Sequence, residues 1–268
     1  MKQEKWVEKD FEEVDCFRCG TKGKLLYKKE LLGVVKCEKC GQVFISPRLT
    51  EEGRKKIYED HSYFDTGVYG FSNKFNLAMS LQRTWSNDRL KLISELLNNK
   101  LENKKLLEIG CAYGLFLNFA KQKGLEVTGI EYSSTAVKWS KENLQLNVYN
   151  GEIETVKLPE NTYDVVCFWD VIEHVKNPEL FLKSVKRVLK KDGVVVFSCP
   201  YFNSVPATVF KSNWWTLRPE QHIWQFTPDT LGKLFGEQGM KLVKVIRNPL
   251  SRINLFRFDS ITVAAKVV

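Results

Sequence analysis

Two patterns of apolar residues alternate along residues 104–268, one typical of β-strands and one typical of α-helices. Apolar runs of strand length are separated by segments with the three-to-four-residue apolar spacing of amphipathic helices. Strands are predicted at KKLLEIG, LEVTGIE, LNVYN, YDVVCFWD, VVVFSCP, MKLVKVIRN and ITVAAKVV. Helices are predicted at LFLNFAKQKG, SSTAVKWSKENL, PELFLKSVKRVLKKDG and TPDTLGKLFGEQG. This alternation predicts an α/β fold with a doubly wound, mostly parallel, seven-stranded sheet and helices on both faces.

Proline, threonine and glycine mark the ends of several predicted helices. Pro178 opens the third helix of the α/β region and Gly193 closes it, while Thr227 caps the fourth. Further upstream, Thr50 offers an N-cap for a short helix, and residues 74–99 have helical apolar spacing.

Four of the seven cysteines lie near the N-terminus in two Cys-x-x-Cys pairs. The pairs are Cys16 with Cys19 and Cys37 with Cys40, and each is followed by glycine. Four thiolates at this spacing match a structural Zn²⁺ site with no open coordination position. The segment between the pairs predicts a hairpin with Gly33 in its turn, hence a zinc ribbon. Two disulfides and a redox Cys-x-x-Cys are the alternatives, and both are disfavoured in a cytosolic chain without a βαβ setting around either pair.

Composition and charge narrow the class of protein. The 268 residues are 43% hydrophobic and 27% charged, which is typical of a globular chain. No uncharged apolar run reaches membrane-span length and no apolar leader is visible, so a cytoplasmic protein without a membrane span is expected. The formal charge is +9, of which residues 1–60 carry +2 and residues 61–268 carry +7. The surplus is scattered, so nucleic acid is a conceivable partner but not the favoured one.

The first strand of the α/β region ends in LLEIGCAYG, where chemistry is expected. Gly110 and Gly114 bracket a turn into a helix, so backbone can approach a ligand closely. The dinucleotide fingerprint fails because Ala112 and Leu115 stand where it requires glycine. The next strand ends in GIEYS, which places Glu131 where acids of nucleotide folds accept hydrogen bonds from ribose hydroxyls.

With these motifs in this order, the sequence resembles the class I S-adenosylmethionine-dependent methyltransferases. The resemblance covers about residues 75–268 and rests on LLEIGCAYG, GIEYS, NGEIETVKLPENTYDVVCFWDVIEHV and VLKKDGVVVFSCP. The cysteine ribbon in front is similar to a subgroup associated with glycan or natural-product biosynthesis. The implied organisation is a zinc ribbon at 1–49, a helical linker and cover at 50–99, and an S-adenosylmethionine-binding domain at 100–268 with a lid at 200–226.

The resemblance implies roles for matching residues. The cofactor-binding set is Glu108, Gly110, Cys111, Ala112, Gly114, Glu131, Tyr132, Glu152, Ile153, Trp169 and Asp170. Within it, the Gly110–Gly114 loop would line the methionine part and Glu131 the ribose. Tyr132 and the Glu152–Ile153 pair would contact the adenine, and Trp169 with Asp170 would face the methionine and sulfonium. Glu152 as a surface residue and Trp169 as core packing remain the alternatives.

Histidine is the side chain whose pKa suits a base for an oxygen or nitrogen acceptor. His174 in DVIEHV and His222 in the predicted lid are the candidate catalytic residues, each with a structural role as the alternative, and His61 is a weaker candidate. The expected function is methyl transfer to a small or carrier-linked acceptor, foremost a hydroxyl of a sugar, glycan or natural-product scaffold. The alternatives are an RNA methyltransferase that binds RNA through the ribbon and a non-catalytic interaction protein.

Overall fold

The computed structural model describes residues 6–53, 75–247 and 259–268, with side chains from residue 84 onward in the second range. The predictions for His61 and for the rest of residues 54–74 lie outside this part of the chain. Among the helices that are described, none combines the length and apolarity needed to cross a membrane.

A seven-stranded sheet forms the larger part of the molecule, as the sequence predicts. Its strands are β6 (Lys105–Ile109), β7 (Glu126–Glu131), β8 (Val148–Asn150), β9 (Tyr163–Trp169), β10 (Leu189–Pro200), β12 (Met240–Arg247) and β13 (Ser260–Val267). The order across the sheet is β12-β13-β10-β9-β6-β7-β8. The five strands from β10 to β8 are parallel, whereas β13 runs antiparallel to both of its neighbours. The doubly wound fold class is therefore confirmed.

Helices cover both faces of this sheet. They are α1 (Phe75–Leu96), α2 (Leu115–Gln122), α3 (Ser134–Leu144), α4 (Pro178–Val188) and α6 (Pro228–Glu237). The short helix α5 (Val205–Phe210) instead packs, through Ala207, with Leu32 and Val34 of the N-terminal region. Successive strand residues enter opposite cores, so that Val165 and Cys167 pack with α1 and α2 while Val166 and Phe168 pack with α4 and α6. This alternation explains why β9 is apolar along its whole length.

The third predicted helix is shorter than expected. It ends at Val188 instead of Gly193, because Leu189 is buried and pairs with Tyr163 as the first residue of β10. The register then shifts before Val194, and the intervening KKDG residues form the irregular part of the strand. The glycine thus lies inside a β-bulge rather than at a helix end.

The N-terminal ribbon contains β2 (Lys24–Lys29), β3 (Leu32–Lys36) and β4 (Val43–Ile45), all antiparallel. The prediction that Gly33 lies in the hairpin turn is wrong. Gly33 is in β3, and the turn is at Glu30 and Leu31, where Glu30 has a φ of 55°. A Cβ at Gly33 would overlap the carbonyl oxygen of Ser46, so the glycine serves close strand approach.

The ribbon is joined to the segment predicted as a lid. Strand β4 pairs with β11 (Trp224–Gln225), which extends the ribbon to a four-stranded sheet in the order β11-β4-β3-β2. The same segment adds Trp214 and Leu217 to an apolar cluster with Val34 and Ile45. Strand β1 (Phe11–Glu12), before the ribbon strands, pairs antiparallel with β5 (Arg48–Leu49), which follows them. The segment 200–226 therefore packs on the ribbon.

Candidate functional site

The turn between β6 and α2 has the open backbone that its sequence indicates. Gly110, Ala112 and Gly114 all have positive φ, at 70°, 47° and 72°. A Cβ on Gly110 would lie 2.7 Å from a methyl carbon of Val171, so glycine is required there by both conformation and space. The amide of Gly110 donates to the carbonyl of Ile130 at 2.8 Å, which ties the turn to the end of β7.

Glu131 closes the same turn from the neighbouring strand. One carboxylate oxygen accepts a hydrogen bond from the amide of Ala112 and the other from the amide of Ser133, both at 2.8 Å. The carboxylate is buried, and burial raises its pKa although these backbone donors oppose the shift. Each oxygen keeps a lone pair for a further donor. The two hydrogen bonds from backbone amides fix the carboxylate in position. A fixed carboxylate is what the recognition of a ligand with vicinal hydroxyls requires.

Glu108 is a buried acid in β6 on the face of the sheet that α1 and α2 cover. Burial raises the pKa of its carboxyl to about 8, and the guanidinium of Arg89 opposes the shift. Its Oε2 atom has no hydrogen-bond partner among the described residues. A buried polar atom without a partner costs free energy, so this oxygen is available to a polar or cationic ligand group.

The residues predicted to contact an adenine lie around the end of β7 and beyond β8. Tyr132 and Glu152 are exposed, whereas the side chain of Ile153 is buried in the core. Asn150 donates from Nδ2 to the carbonyls of Glu131 and Tyr132, at 3.0 and 2.8 Å. Glu152 and Tyr132 are thus accessible to a ligand, while Ile153 packs in the core below the surface.

Cys111, Trp169 and Asp170 flank the Gly110 turn. Cys111 is buried against Gly129, and burial raises the pKa of its thiol, so its side chain acts as a small apolar group. The guanidinium carbon of Arg89 lies 4.2 Å from the centre of the Trp169 indole. Asp170 has a φ of 55° and accepts a hydrogen bond from the Ser198 hydroxyl at 3.0 Å. Trp169 and Asp170 therefore stand where β9 meets the turn.

His174 and His222 come together although 48 positions separate them. Their rings are 4.7 Å apart, edge to face. One ligand-type atom each of Glu173, His174 and His222 lies within 4.8 Å of the others. Burial lowers the pKa of His222, and the neighbouring His174 lowers it further. His222 is therefore a neutral imidazole at physiological pH.

Backbone carbonyls set the tautomer of both rings. Nδ1 of His222 is 2.7 Å from the carbonyl oxygen of Thr216, and Nδ1 of His174 is 3.2 Å from that of Gln221. Because a carbonyl only accepts, Nδ1 carries the proton in each ring, and Nε2 of the neutral ring is left as a proton acceptor.

Sequence reasoning missed three residues of this region. Arg89 comes from α1, where nothing in a helical pattern distinguishes it from a surface arginine. Glu173 adjoins His174 in the motif, and its burial could have been suspected from the apolar residues around it. Asn150 ends a short strand, and its side-chain bonds to the β7 end are not visible in the sequence.

The four N-terminal cysteines converge as their spacing predicts. Their Sγ atoms lie within 4.8 Å of one another, with Cys16 and Cys40 at 3.5 Å, and all seven cysteines of the chain are free. The two pairs have matching turns: Gly20 donates to the carbonyl of Cys16, and Gly41 to that of Cys37. Both glycines have positive φ. This donor set and geometry fit a tetrahedral metal ion with thiolate ligands.

Backbone amides support the sulfur atoms in both pairs. The amides of Arg18 and Cys19 hydrogen-bond to Cys16, and those of Lys39 and Cys40 to Cys37. For Cys37, burial raises the pKa, but the Thr21 hydroxyl and these amides outweigh it and bring the value to about 6. These donors favour the thiolate form of Cys37, which is the form that binds a metal ion.

Comparison with known proteins identifies the family. A family profile described as a methyltransferase domain matches residues 80–245. The chain is 33% identical over 120 residues to "Ubiquinone biosynthesis O-methyltransferase, mitochondrial" of Schizosaccharomyces pombe. This alignment covers 41% of this chain and 43% of the relative. It is 25% identical over 145 residues to the ubiquinone biosynthesis O-methyltransferase of Coxiella burnetii, covering 52% and 58%. The chain therefore spans about half the length of these curated relatives.

Solved structures share the fold at low identity. Magnesium protoporphyrin IX methyltransferase from Synechocystis, with S-adenosylhomocysteine bound, superposes with a TM-score of 0.61 at 16% identity, over 81% of this chain and all of the other. An S-adenosylmethionine-dependent methyltransferase from Aquifex aeolicus superposes with a TM-score of 0.51 at 18% identity, over 68% and 90%. The chain belongs to the methyltransferase-domain family and has the Rossmann-like fold of the class I S-adenosylmethionine-dependent methyltransferases.

Proposed function

We propose that the protein transfers a methyl group from S-adenosylmethionine to a hydroxyl oxygen of a small molecule. The observation that carries the proposal is the Glu131 carboxylate, which two backbone amides hold at the end of β7 beside the open Gly110 turn. Family membership supports the methyl transfer, and the names of the two curated relatives support an oxygen acceptor.

Different residues of the chain bind different parts of the cofactor. S-adenosylmethionine, when bound, supplies a methyl group already activated by a sulfonium. Glu131 accepts hydrogen bonds from the ribose hydroxyls, and the turn from Gly110 to Gly114 lets the methionine part approach the backbone. Tyr132 and Glu152 lie beside the adenine. Glu108, whose Oε2 lacks a partner among the described residues, faces the cationic end with Trp169 and Asp170 near it.

The two histidines act on the acceptor. A neutral imidazole with Nδ1–H held by a carbonyl presents Nε2 to the acceptor hydroxyl and takes its proton. His222 is the better base candidate in one respect, because its lowered pKa keeps it neutral. His174 is less buried and stands nearer to solvent, so it can pass the proton outward.

Within small hydroxyl compounds, we place sugars, glycan ends and natural-product scaffolds first. The +7 charge on residues 61–268 adds a weak preference for an acceptor linked to phosphate. The RNA alternative rests on the net charge and on the ribbon as an RNA-binding module. The non-catalytic alternative gives no reason for the two backbone hydrogen bonds that fix the Glu131 carboxylate beside the open turn.

We also propose that Cys16, Cys19, Cys37 and Cys40 hold one structural Zn²⁺. The converging sulfurs and the two matching turns support it. Elemental analysis of the purified chain should give about one zinc per molecule, and replacing Cys37 with serine should remove it. A Cys199→Ser variant, which changes a buried cysteine of β10, should keep the metal. A folded chain without metal would overturn this assignment.

Methyl transfer is tested with S-adenosylmethionine labelled in the methyl group. The labelled cofactor is incubated with the enzyme and with pooled phenols, sugars, nucleotide sugars and total RNA as separate acceptors. Label in a small hydroxyl compound, lost in His222→Asn, is the expected result. If only the RNA pool is labelled, the acceptor is RNA and not a small hydroxyl compound. No label in any pool, together with no cofactor binding, would overturn the function.

A further inference from the structure

The ribbon reaches the candidate active site through one short strand. Strand β4 pairs with β11 so that Phe44 lies opposite Trp224 and Val43 opposite Gln225. The amide of Ile45 adds a bond to the carbonyl of Ile223 at 3.0 Å. Strand β11 begins two residues after His222, so the ribbon holds the segment that carries this histidine.

Trp224 contacts both sides of this junction. On the ribbon side its ring lies 4.7 Å from that of Phe17, which is inside the first Cys-x-x-Cys pair, and 6.1 Å from that of Phe44. On the other side its indole Nε1 donates to the carbonyl of Val175 at 2.7 Å, and its amide donates to the carbonyl of Glu173 at 3.2 Å. These two carbonyls flank His174, so one buried residue, through its indole and its backbone amide, links the ribbon to the residues on both sides of that histidine.

Two buried glutamines repeat the link beside Trp224. Gln42 donates from Nε2 to the carbonyl of Gln225 at 3.0 Å and to that of Val43 at 2.8 Å. Gln225 in turn donates from Nε2 to the carbonyl of His222 at 2.8 Å. Gln42 is two residues after Cys40, so a chain of hydrogen bonds runs from the cysteine cluster to the backbone of His222.

We propose that Trp224 is a positioning residue through which the four-cysteine ribbon sets the spacing of His174 and His222. The inference rests on the proposed function for its consequence in turnover, but the spacing itself is a property of the folded chain. A misplacement of about 1 Å near a reacting group costs about a hundredfold in rate, so a partial loosening should cost about tenfold. The ribbon then has a task in the reaction besides its own folding.

The first experiment compares Trp224→Phe with Trp6→Phe in the full chain. Both variants keep an aromatic ring and lose an indole donor to a backbone carbonyl, which for Trp6 is that of Gly53 at 3.2 Å. Amide exchange at positions 45 and 224 is measured first, because these amides donate across the junction. Exchange at both should become about tenfold faster in Trp224→Phe and stay unchanged in Trp6→Phe.

The histidines report the spacing directly. Burial lowers the pKa of His222 most, the neighbouring His174 and Arg218 lower it further, and Asp170 raises it. The carboxylate of Glu173 also lies within 4.8 Å of the ring. In Trp224→Phe, an NMR titration of the imidazole nitrogens should show the pKa of His222 moving up by about one unit. S-adenosylhomocysteine affinity and zinc content should stay unchanged, and kcat should fall about tenfold with the cofactor KM constant. If Trp224 only stabilised the fold, the substitution would lower the free energy of unfolding but would not change the His222 pKa and kcat in this way.

The outcomes separate the two proposals. If the wild type transfers no methyl group, the proposed function fails, yet the exchange and titration results still decide the positioning role. If Trp224→Phe does not fold, Gln42→Met breaks the same link from the ribbon side and should speed exchange at position 224. Unchanged exchange and an unchanged His222 pKa in the folded variants would overturn the inference.

Discussion

The cofactor half and the acceptor half of the candidate site are built in different ways. The centre of the proposed cofactor half consists of two short segments at the ends of successive strands, the Gly110 turn after β6 and the end of β7, joined by hydrogen bonds. The acceptor half is assembled from the loop after β9, the segment that precedes β11, and the ribbon strand β4. A local motif thus fixes the first half, and long-range packing fixes the second.

This difference suggests which half is free to change. A backbone cradle for an invariant ligand needs only the correct turn, whereas a pocket made from distant segments can alter its shape through any of them. Among the described residues, the ribbon pairs with the rest of the chain through β4 and β11, in the acceptor half. The ribbon is then expected to affect the acceptor and not the cofactor.

The largest expected effect is on the acceptor side. His222→Asn keeps a donor for the Thr216 carbonyl but removes the base, so kcat should fall by about 10²–10⁴. The affinity for S-adenosylhomocysteine, measured by calorimetry, should not change. Normal turnover in both His222→Asn and His174→Asn would remove the base from the mechanism.

The next effect is on the cofactor side. Glu131→Gln replaces a charged acceptor of ribose hydroxyls, and the loss of such bonds should weaken S-adenosylhomocysteine binding about ten- to a hundredfold. Glu126→Gln, at the other end of the same strand, is the matched control because its side chain is exposed. Equal affinities in the two variants would contradict the ribose role, which calorimetry measures directly.

A glycine pair tests whether the cofactor turn needs its backbone shape. Gly110→Ala places a Cβ at positive φ against Val171 and should lower the free energy of unfolding by about 1–3 kcal/mol. Gly236→Ala, on helix α6 with open space around the added carbon, should instead raise it by about 0.5–1 kcal/mol. Urea unfolding measures both, and changes of the same sign would refute the argument.

The smallest effect is on pH dependence. Because the pKa of His222 is lowered in the folded protein, the unfolded chain binds more protons below its ordinary value of about 6.5. The free energy of unfolding should therefore fall as the pH drops from 7 to 5, and less steeply in His222→Asn. Denaturant titrations across this range supply the comparison, and identical slopes would show that His222 binds protons equally in the folded and unfolded chains.

The same contrast explains what the sequence could predict. Strand–helix alternation located all seven strands of the sheet, and the position of Glu131 at the end of β7 follows from local pattern alone. The end of α4 and the role of Gly33 were missed because a bulge and a close strand contact depend on neighbours distant in sequence. The meeting of His174 with His222, and the link through Trp224, depend on how the ribbon docks, which no local pattern encodes.

Every role proposed for the chain in methyl transfer depends on the binding of S-adenosylmethionine at the Gly110 turn. Calorimetric titration of the full chain with S-adenosylhomocysteine tests it without knowledge of the acceptor. We predict one site per chain, with the affinity reduced in Glu131→Gln. No binding heat with the ligand at millimolar concentration, for a chain shown to be folded, would contradict the claim.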